Sequence, residues 1–400
     1  MTTHIVPPSC ARDRRAALVV LLLAACGAAR GQSIDHARSF GAELAADADS
    51  RVSTLAAAPT GPTIGGYMLF RNVLNARDDA ALTNELTNGF QDSKIKLSAS
   101  GQVSEEFGYS ILLSARLSDG GIELQDAVGT YKPGENWTVR WGQFKLPLLR
   151  EEMIADTTQL AADRSAMNSA FTQGRSQGVE ARYRADDWRC MAAASDGLGT
   201  ANSDFTSGAE ADYAFTGRFE YRGAGEWTRF DDFTSWRGGD TAWIIGGAGH
   251  WQSGGDTNGT TDTDVFTVTA DGSLEGDGWT AFAQFVYRMA EPAAGSDTDD
   301  MGLLVQGGYF VTDTCELFAR WDSVFPDDNG PGAPEDFNTI TAGVNCYVIP
   351  HSHAAKITVD LQYFVDEQAA SIVPVNTLTG LLASGEDGQW VVRCQAQVKF

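Results

Sequence analysis

Residues 390–400 read WVVRCQAQVKF and end the chain on an aromatic residue. Counting back from the end, Phe400, Val398, Ala396, Cys394, Val392 and Trp390 form one set, and Lys399, Gln397, Gln395, Arg393 and Val391 the other. A strand sends alternate side chains to opposite faces, so this segment has one apolar face and one almost wholly polar face. An apolar face toward lipid, a polar face toward a lumen and an aromatic residue at the interface describe the closing strand of a transmembrane β-barrel.

The pattern recurs upstream. Clear examples are Ser93–Ser100, Phe107–Leu117, Asp212–Arg222, Trp279–Met289 and Lys356–Val365. In DYAFTGRFEYR, Tyr213, Phe215, Phe219 and Tyr221 share one face, while Asp212, Arg218, Glu220 and Arg222 share the other. Repetition over residues 65–400, with Tyr and Trp near strand ends, favours a lipid belt over a soluble sandwich. The mean hydropathy of -0.21 is compatible with this, because alternating faces average to neutral. Beyond the N-terminus no apolar run approaches the roughly 20 residues of a membrane helix. Short connections (101–105, 132–136, 185–188, 223–225, 312–313, 350–354) alternate with long ones (74–91, 146–177, 197–210, 252–262, 290–300, 323–338, 366–386), as periplasmic turns and external loops do. Seventeen candidate strands, counting Glu226–Asp231, conflict with both termini lying on the periplasmic side. Treating residues 224–240 as a turn excursion leaves sixteen, beginning with Gly65–Asn72, which encloses a water-filled lumen. The expected fold is an all-β antiparallel transmembrane barrel.

Residues 1–31 read as a secretory signal: Arg12, Arg14 and Arg15 precede an apolar core, Ala16 to Ala25, and small residues follow. Leu23-Ala24-Ala25-Cys26 leaves acylation of Cys26 as the alternative. Residues 32–62 read as a periplasmic helical segment, with Ile34, Ala37, Gly41, Leu44, Ala48 and Leu55 at three-four spacing until Pro59 and Pro62. The barrel is assigned to residues 63–400. The whole chain carries a net charge of -24; removing residues 1–31 takes away four arginines and one aspartate and leaves -27. That charge argues against nucleic acid as a partner. Of six cysteines, Cys10 and Cys26 lie in the leader. Cys190, Cys315, Cys346 and Cys394 fall on lipid-facing positions, and Cys315 and Cys346 are placed to face each other across neighbouring strands. The reading favours thiols there, with a disulfide the alternative.

Several segments are similar to the phosphate-selective porin O/P family, in particular its planctomycete-type members. They are WGQFKLPLLREE (Trp141–Glu152), Arg175 to Glu180, ELFARWD (Glu316–Asp322), ITAGVNCYV (Ile340–Val348), KITVDLQY (Lys356–Tyr363) and the terminal VVRCQAQVKF. The likeness covers about residues 60 to 400. It implies a trimeric sixteen-stranded porin in the outer membrane, with a loop folded into the lumen as its constriction.

In such a channel, charged side chains at a narrow point select the permeating ion. The segment 146–177, entered through Lys145, is the candidate constriction, with Arg150, Glu151, Glu152, Asp163, Arg164 and Arg175 as its charges. Strand parity turns Lys94, Lys96, Arg116, Arg140, Arg182, Arg184, Arg218, Arg222, Arg288, Arg320, Lys356 and Arg393 toward the lumen, since a basic residue facing lipid at the midplane costs about 2–4 kcal/mol. Guanidinium forks suit oxyanions such as phosphate. Glu180, Asp212, Glu220, Glu316, Asp322 and Asp360 are interspersed among them and weaken that preference.

The leading function is passive diffusion of small hydrophilic solutes or ions, with anions such as phosphate the candidate cargo. The alternative is a structural or adhesive surface barrel. No nucleophile elbow, zinc motif or nucleotide loop is present, and an enzyme, a cofactor and a metal are not expected. Asp256 to Gly259 and Asp327 to Gly330 resemble calcium loops but lack the twelfth-position acid. His351 and His353 read as incidental in a short turn, and the glycines around His250 as permitting close strands. The expected partners are outer-membrane lipid, the permeating solutes, two further copies of the chain and, through Phe400, the barrel-insertion machinery.

Overall fold

The computed structural model describes residues 62–78, 85–115, 120–208, 210–254, 263–293, 295–328 and 333–400. The leader and the helical segment at 33–58 lie outside these residues. The strands are β1 Thr63–Ala76, β2 Leu86–Gln102, β3 Phe107–Ala115, β4 Ile122–Tyr131, β5 Trp137–Phe144, β6 Ser176–Arg184, β7 Trp188–Ser195 and β8 Tyr213–Ala224. They continue with β9 Ala242–Ser253, β10 Thr263–Gly276, β11 Trp279–Pro292, β12 Thr298–Phe310, β13 Cys315–Phe325, β14 Phe337–Tyr347, β15 Ala355–Phe364 and β16 Trp390–Lys399. Each pairs with its sequence neighbour, and β16 returns to β1, closing an antiparallel barrel of sixteen strands. Closure runs from Tyr67↔Lys399 to Ala76↔Trp390, and Gly66 and Phe400 exchange backbone hydrogen bonds of 2.9 Å. A closed sheet leaves no backbone edge for lipid to meet.

The alternation of the closing strand is realised as read: Val391, Arg393, Gln395, Gln397 and Lys399 are buried inside, while Val398 is 52 % exposed on the outer face. The strands are longer than the sequence pattern marks at several ends, β1 and β2 most of all. Residues 226–231 contain no strand; a 3-10 turn, Trp227–Asp231, occupies them. At the rim with the short connections, outward aromatics touch along the wall: Phe107–Tyr131 at 4.6 Å, Trp137–Tyr183 at 5.0 Å, Tyr183–Trp188 at 5.1 Å and Trp188–Phe219 at 6.0 Å. Such a girdle marks a lipid–water interface. Cys315 and Cys346 are direct partners on β13 and β14.

The interior is not an open tube. Between β5 and β6 the chain folds inward through α1 (Arg150–Met153), a 3-10 turn (Asp156–Thr158) and α2 (Ala166–Phe171). Leu149, Ile154, Leu160, Met167 and Phe171 of this infolded loop join inward-facing Phe282, Val286, Leu304, Phe318, Phe337 and Phe364 in one apolar cluster. A Cβ on Gly302 would meet Met167 Cγ at 2.6 Å and Phe171 at 2.7 Å, so only glycine lets α2 lie this close to β12. The loop thus leans on the β11–β15 wall.

Candidate functional site

A loop inside a barrel brings its own backbone polar groups away from bulk water, and each needs a partner. Inward polar side chains of the wall supply them. Arg320 donates to Asp163 O at 2.8 Å, Lys356 to Gln159 O at 2.9 Å, Asn345 to Leu160 O at 3.0 Å and Gln397 to Thr157 O at 3.1 Å. Asp322 accepts from Met167 N at 3.1 Å, and Asp360 from Ala162 N at 2.9 Å. Arg71 donates to Ala162 O at 2.6 Å and lies 3.3 Å from Asp163. Arg393 is held by Asp360 through bonds of 2.7 and 2.9 Å and also reaches Thr379 O. These cations clamp the loop.

A second clamp lies around Glu220, which meets Arg150 at 2.6 Å, Arg218 at 2.9 Å and also Arg189. Arg218 forks onto Asp271 with two bonds of 2.8 Å. Arg150 is 2 % exposed and Glu151 fully buried, with Glu151 accepting from Ser165 N and Oγ. These two loop charges are therefore enclosed rather than presented to an opening. Arg288 reaches Asp300 and Ala170 O.

A cleft lies on the opposite side, between the loop and β1–β6. It has a cavity volume of about 80 Å³, is partly open to solvent, and is bordered by Tyr67, Lys96, Ser98, Ser100, Ser110, Asp126, Arg140, Phe144, Lys145, Asp156, Arg175 and Arg182 among others. Five of its lining residues are cationic (Lys96, Arg140, Lys145, Arg175, Arg182) and two are carboxylates (Asp126, Asp156). Arg140 forks onto Glu180 with two bonds of 2.9 Å and stacks over Phe144 at 4.1 Å; Arg182 shares that carboxylate. Arg175 meets Asp126 at 2.6 Å. Across the gap Asp156 gathers Lys96 at 2.8 Å, Lys94 at 3.1 Å, Tyr67 at 2.7 Å and Arg164. Lys94 also reaches Asp163 at 3.2 Å. Lys145 lies 3.1 Å from Glu152, and Arg164 lies 3.4 Å from it. Burial would raise the Glu152 carboxyl, but Arg164 and then Lys145 outweigh it and hold its pKa at about 2.

The structure thus brings Lys145, Glu152, Arg164, Arg175, Lys96, Arg140 and Arg182 together around one opening. It places Arg150, Glu151, Arg218, Arg320, Lys356 and Arg393 in the packed interior, and Arg222 beside Asp187 and Trp227 at the short-connection rim. Arg184 is half-buried at that rim, Asp212 is exposed at the opposite one, and Arg116 lies outside the described residues. Asp126, Asp156 and Tyr67 belong to the cavity although sequence reading did not single them out. Nothing in strand parity distinguishes an inward Asp on β4 from one in a loop. His353, read as incidental, is buried with its Nε2 3.4 Å from Asp232.

A closed sixteen-stranded barrel with an apolar belt, an infolded loop and a charged cavity between loop and wall is the architecture of an outer-membrane pore. The chain belongs to the phosphate-selective porin O and P family, whose model matches residues 75–363. It is an integral outer-membrane channel for passive diffusion of small hydrophilic solutes. Solved structures share the fold at low identity. The anion-selective porin of Comamonas acidovorans is 13% identical, with 85% of this chain and 99% of that one covered and a TM-score of 0.57. The trimer form of OmpT, an outer membrane protein of Vibrio cholerae, is 13% identical over 85% and 100%, with a TM-score of 0.55. Salmonella typhi OmpF in complex with daunomycin is 13% identical over 84% and 97%, also with a TM-score of 0.55. No curated protein sequence matches the chain.

Proposed function

We propose that this porin prefers anions, and that they pass through the cavity between the infolded loop and β1–β6. The observation that carries the reading is the lining: five cations and two carboxylates border the space, while Glu180 and Glu152 stand behind Arg140 and Lys145 and leave a smaller positive excess at the opening. A narrow space with low-dielectric walls concentrates the field of such an excess and raises the local concentration of counter-ions. The acidic excess of the whole chain does not oppose this, because charges separated from the opening by more than a Debye length, about 8 Å at physiological salt, are screened. Phosphate is the candidate cargo within this reading, since Arg140, Arg175 and Arg182 carry forks that match an oxyanion.

The same proposal takes the active form as a homotrimer, in keeping with the trimer form of the similar Vibrio protein. It takes residues 1–31 as an export signal, 32–62 as a periplasmic segment and 63–400 as the barrel, with both termini and the short connections periplasmic. Phe400, at the end of the closing strand, is the proposed contact for the barrel-insertion machinery. No catalytic activity is assigned. The purified protein in a planar bilayer under a potassium chloride gradient should show a reversal potential of the sign that anion permeation gives. A potential of the opposite sign sinks the reading.

A further inference from the structure

The connection from β8 to β9, residues 225–241, leaves the rim and enters the barrel. The other connections at that rim among the described residues pass directly from strand to strand. This one carries Phe230 and Phe233 inward until each is 1% exposed. The Phe233 ring lies 4.7 Å from Phe282 and joins the apolar cluster that includes Leu149 and Ile154 of the infolded loop. Phe233 N donates to Thr158 O at 3.3 Å, and Phe230 O accepts from the Arg150 guanidinium. Further on, Thr234 Oγ1 is 3.1 Å from the Tyr347 hydroxyl, and the Trp236 ring lies 4.7 Å from Tyr347. None of these residues lines the cavity.

We propose that residues 225–241 form a plug that closes the part of the lumen beneath the infolded loop, and that this plug fixes the size limit of the channel. The inference rests on the reading that solutes use the cavity beside β1–β6. A barrel of sixteen strands encloses more width than one loop fills. Where the loop leans on the β11–β15 wall, the remaining gap must be filled or it leaks. Phe230 and Phe233 fill it with carbon, which ions and sugars enter only by giving up hydration. The plug also holds the loop: Arg150 is fixed at one end by Glu220 and at the other by the plug's own backbone carbonyl. A narrow cavity and a sealed remainder together make a channel more restrictive than its strand number implies.

The test uses the full chain in planar bilayers and in liposome-swelling assays with neutral sugars of graded size. In one variant residues 226–240 are replaced by Asn-Gly, a pair suited to a two-residue hairpin. Single-channel conductance should rise at least twofold, and a disaccharide that wild type excludes should enter. The double variant Phe230→Ser, Phe233→Ser keeps the connection and removes only the seal, so it serves if the shortened chain does not fold. It should shift both readouts in the same direction by a smaller amount. Wild-type conductance and exclusion in a variant that runs as a folded, heat-modifiable barrel would overturn the plug. Ion preference of the wild-type channel is measured separately. A cation-preferring wild type defeats the earlier reading while leaving the size-limit result to decide this one.

Discussion

The two sides of this lumen use the same residue types for opposite ends. On the β11–β16 side, Arg320, Lys356 and Arg393 are buried to within a few per cent and spend their donors on loop carbonyls and on Asp360 or Asp322. On the β2–β6 side, Lys96, Arg140, Arg175 and Arg182 also have acidic partners, yet they border open space. The contrast teaches that an inward arginine in a barrel is not evidence of a conducting path. What decides its role is whether a loop backbone or solvent stands in front of it.

Breaking a clamp should produce the largest effect. Arg393 and Asp360 are both fully enclosed as a pair, and Asp360 also holds Ala162 N. Replacing Arg393 by Met leaves a buried carboxylate without its counter-charge, which costs roughly 3–5 kcal/mol. The thermal midpoint of the folded-to-unfolded gel shift should fall markedly, and the current should become noisy as the loop loosens. Adding Asp360→Leu to Arg393→Met should recover part of that loss, since removing both charges removes the orphan. A single variant as stable as wild type would dissolve the distinction between the two sides.

Neutralising a cavity cation should do the reverse. Arg175 and Asp126 are both partly accessible, with side-chain exposures of 12% and 24%. Arg175→Gln should therefore cost less stability than Arg393→Met, because the Asp126 carboxylate left behind still reaches solvent. The anion-to-cation permeability ratio should fall by roughly twofold, because one of the charges that set the local potential is gone. Reversal potentials of the variant and wild type under one gradient give the comparison directly.

The barrel itself was legible because period-two alternation is dictated by strand geometry and by lipid. The closing strand, the even strand count and the excursion after β8 all followed from it. The sides of the lumen were not legible, since parity reports only inward or outward. One cue was present in the sequence without being used. In WTAFAQFVYRM, Phe282 and Val286 sit on the inward parity beside Gln284 and Arg288. An aromatic on the face that should meet water means that something covers it, and here that is the infolded loop. Phe318 and Phe364 repeat the cue on β13 and β15. His353 was unreadable for a different reason: its partner Asp232 lies on another connection, far away in sequence.

A smaller and reversible effect should come from pH. Lys145 borders the cavity and reaches Glu152 O at 2.6 Å. Burial, and then the charge of Arg164, lower its pKa to about 8. A lysine with a lowered pKa is charged below that value and neutral above it, so its share of the anion preference is present at pH 7 and lost as pH rises through about 8. Permeability ratios at pH 7 and pH 9 should differ in wild type. Lys145→Arg should flatten the difference, because a guanidinium keeps its charge across that range. An unchanged wild-type ratio across the window would remove Lys145 from the set of selective charges.

The smallest effect should come from Arg184, and it tests the contrast most strictly. Arg184 shares strand and parity with Arg182 and Glu180, so sequence alone ranks it with the cavity cations. The structure sets it opposite Arg189 on β7, near the end of β6 and away from the cavity lining. A half-buried charge at a wet rim is screened within about 8 Å at physiological salt. Arg184→Gln should therefore leave both the reversal potential and the thermal midpoint within experimental scatter, while Arg182→Gln shifts the former. Equal shifts from the two would mean that ions sense the whole inward face of β6, and that the cavity lining does not define the selective path.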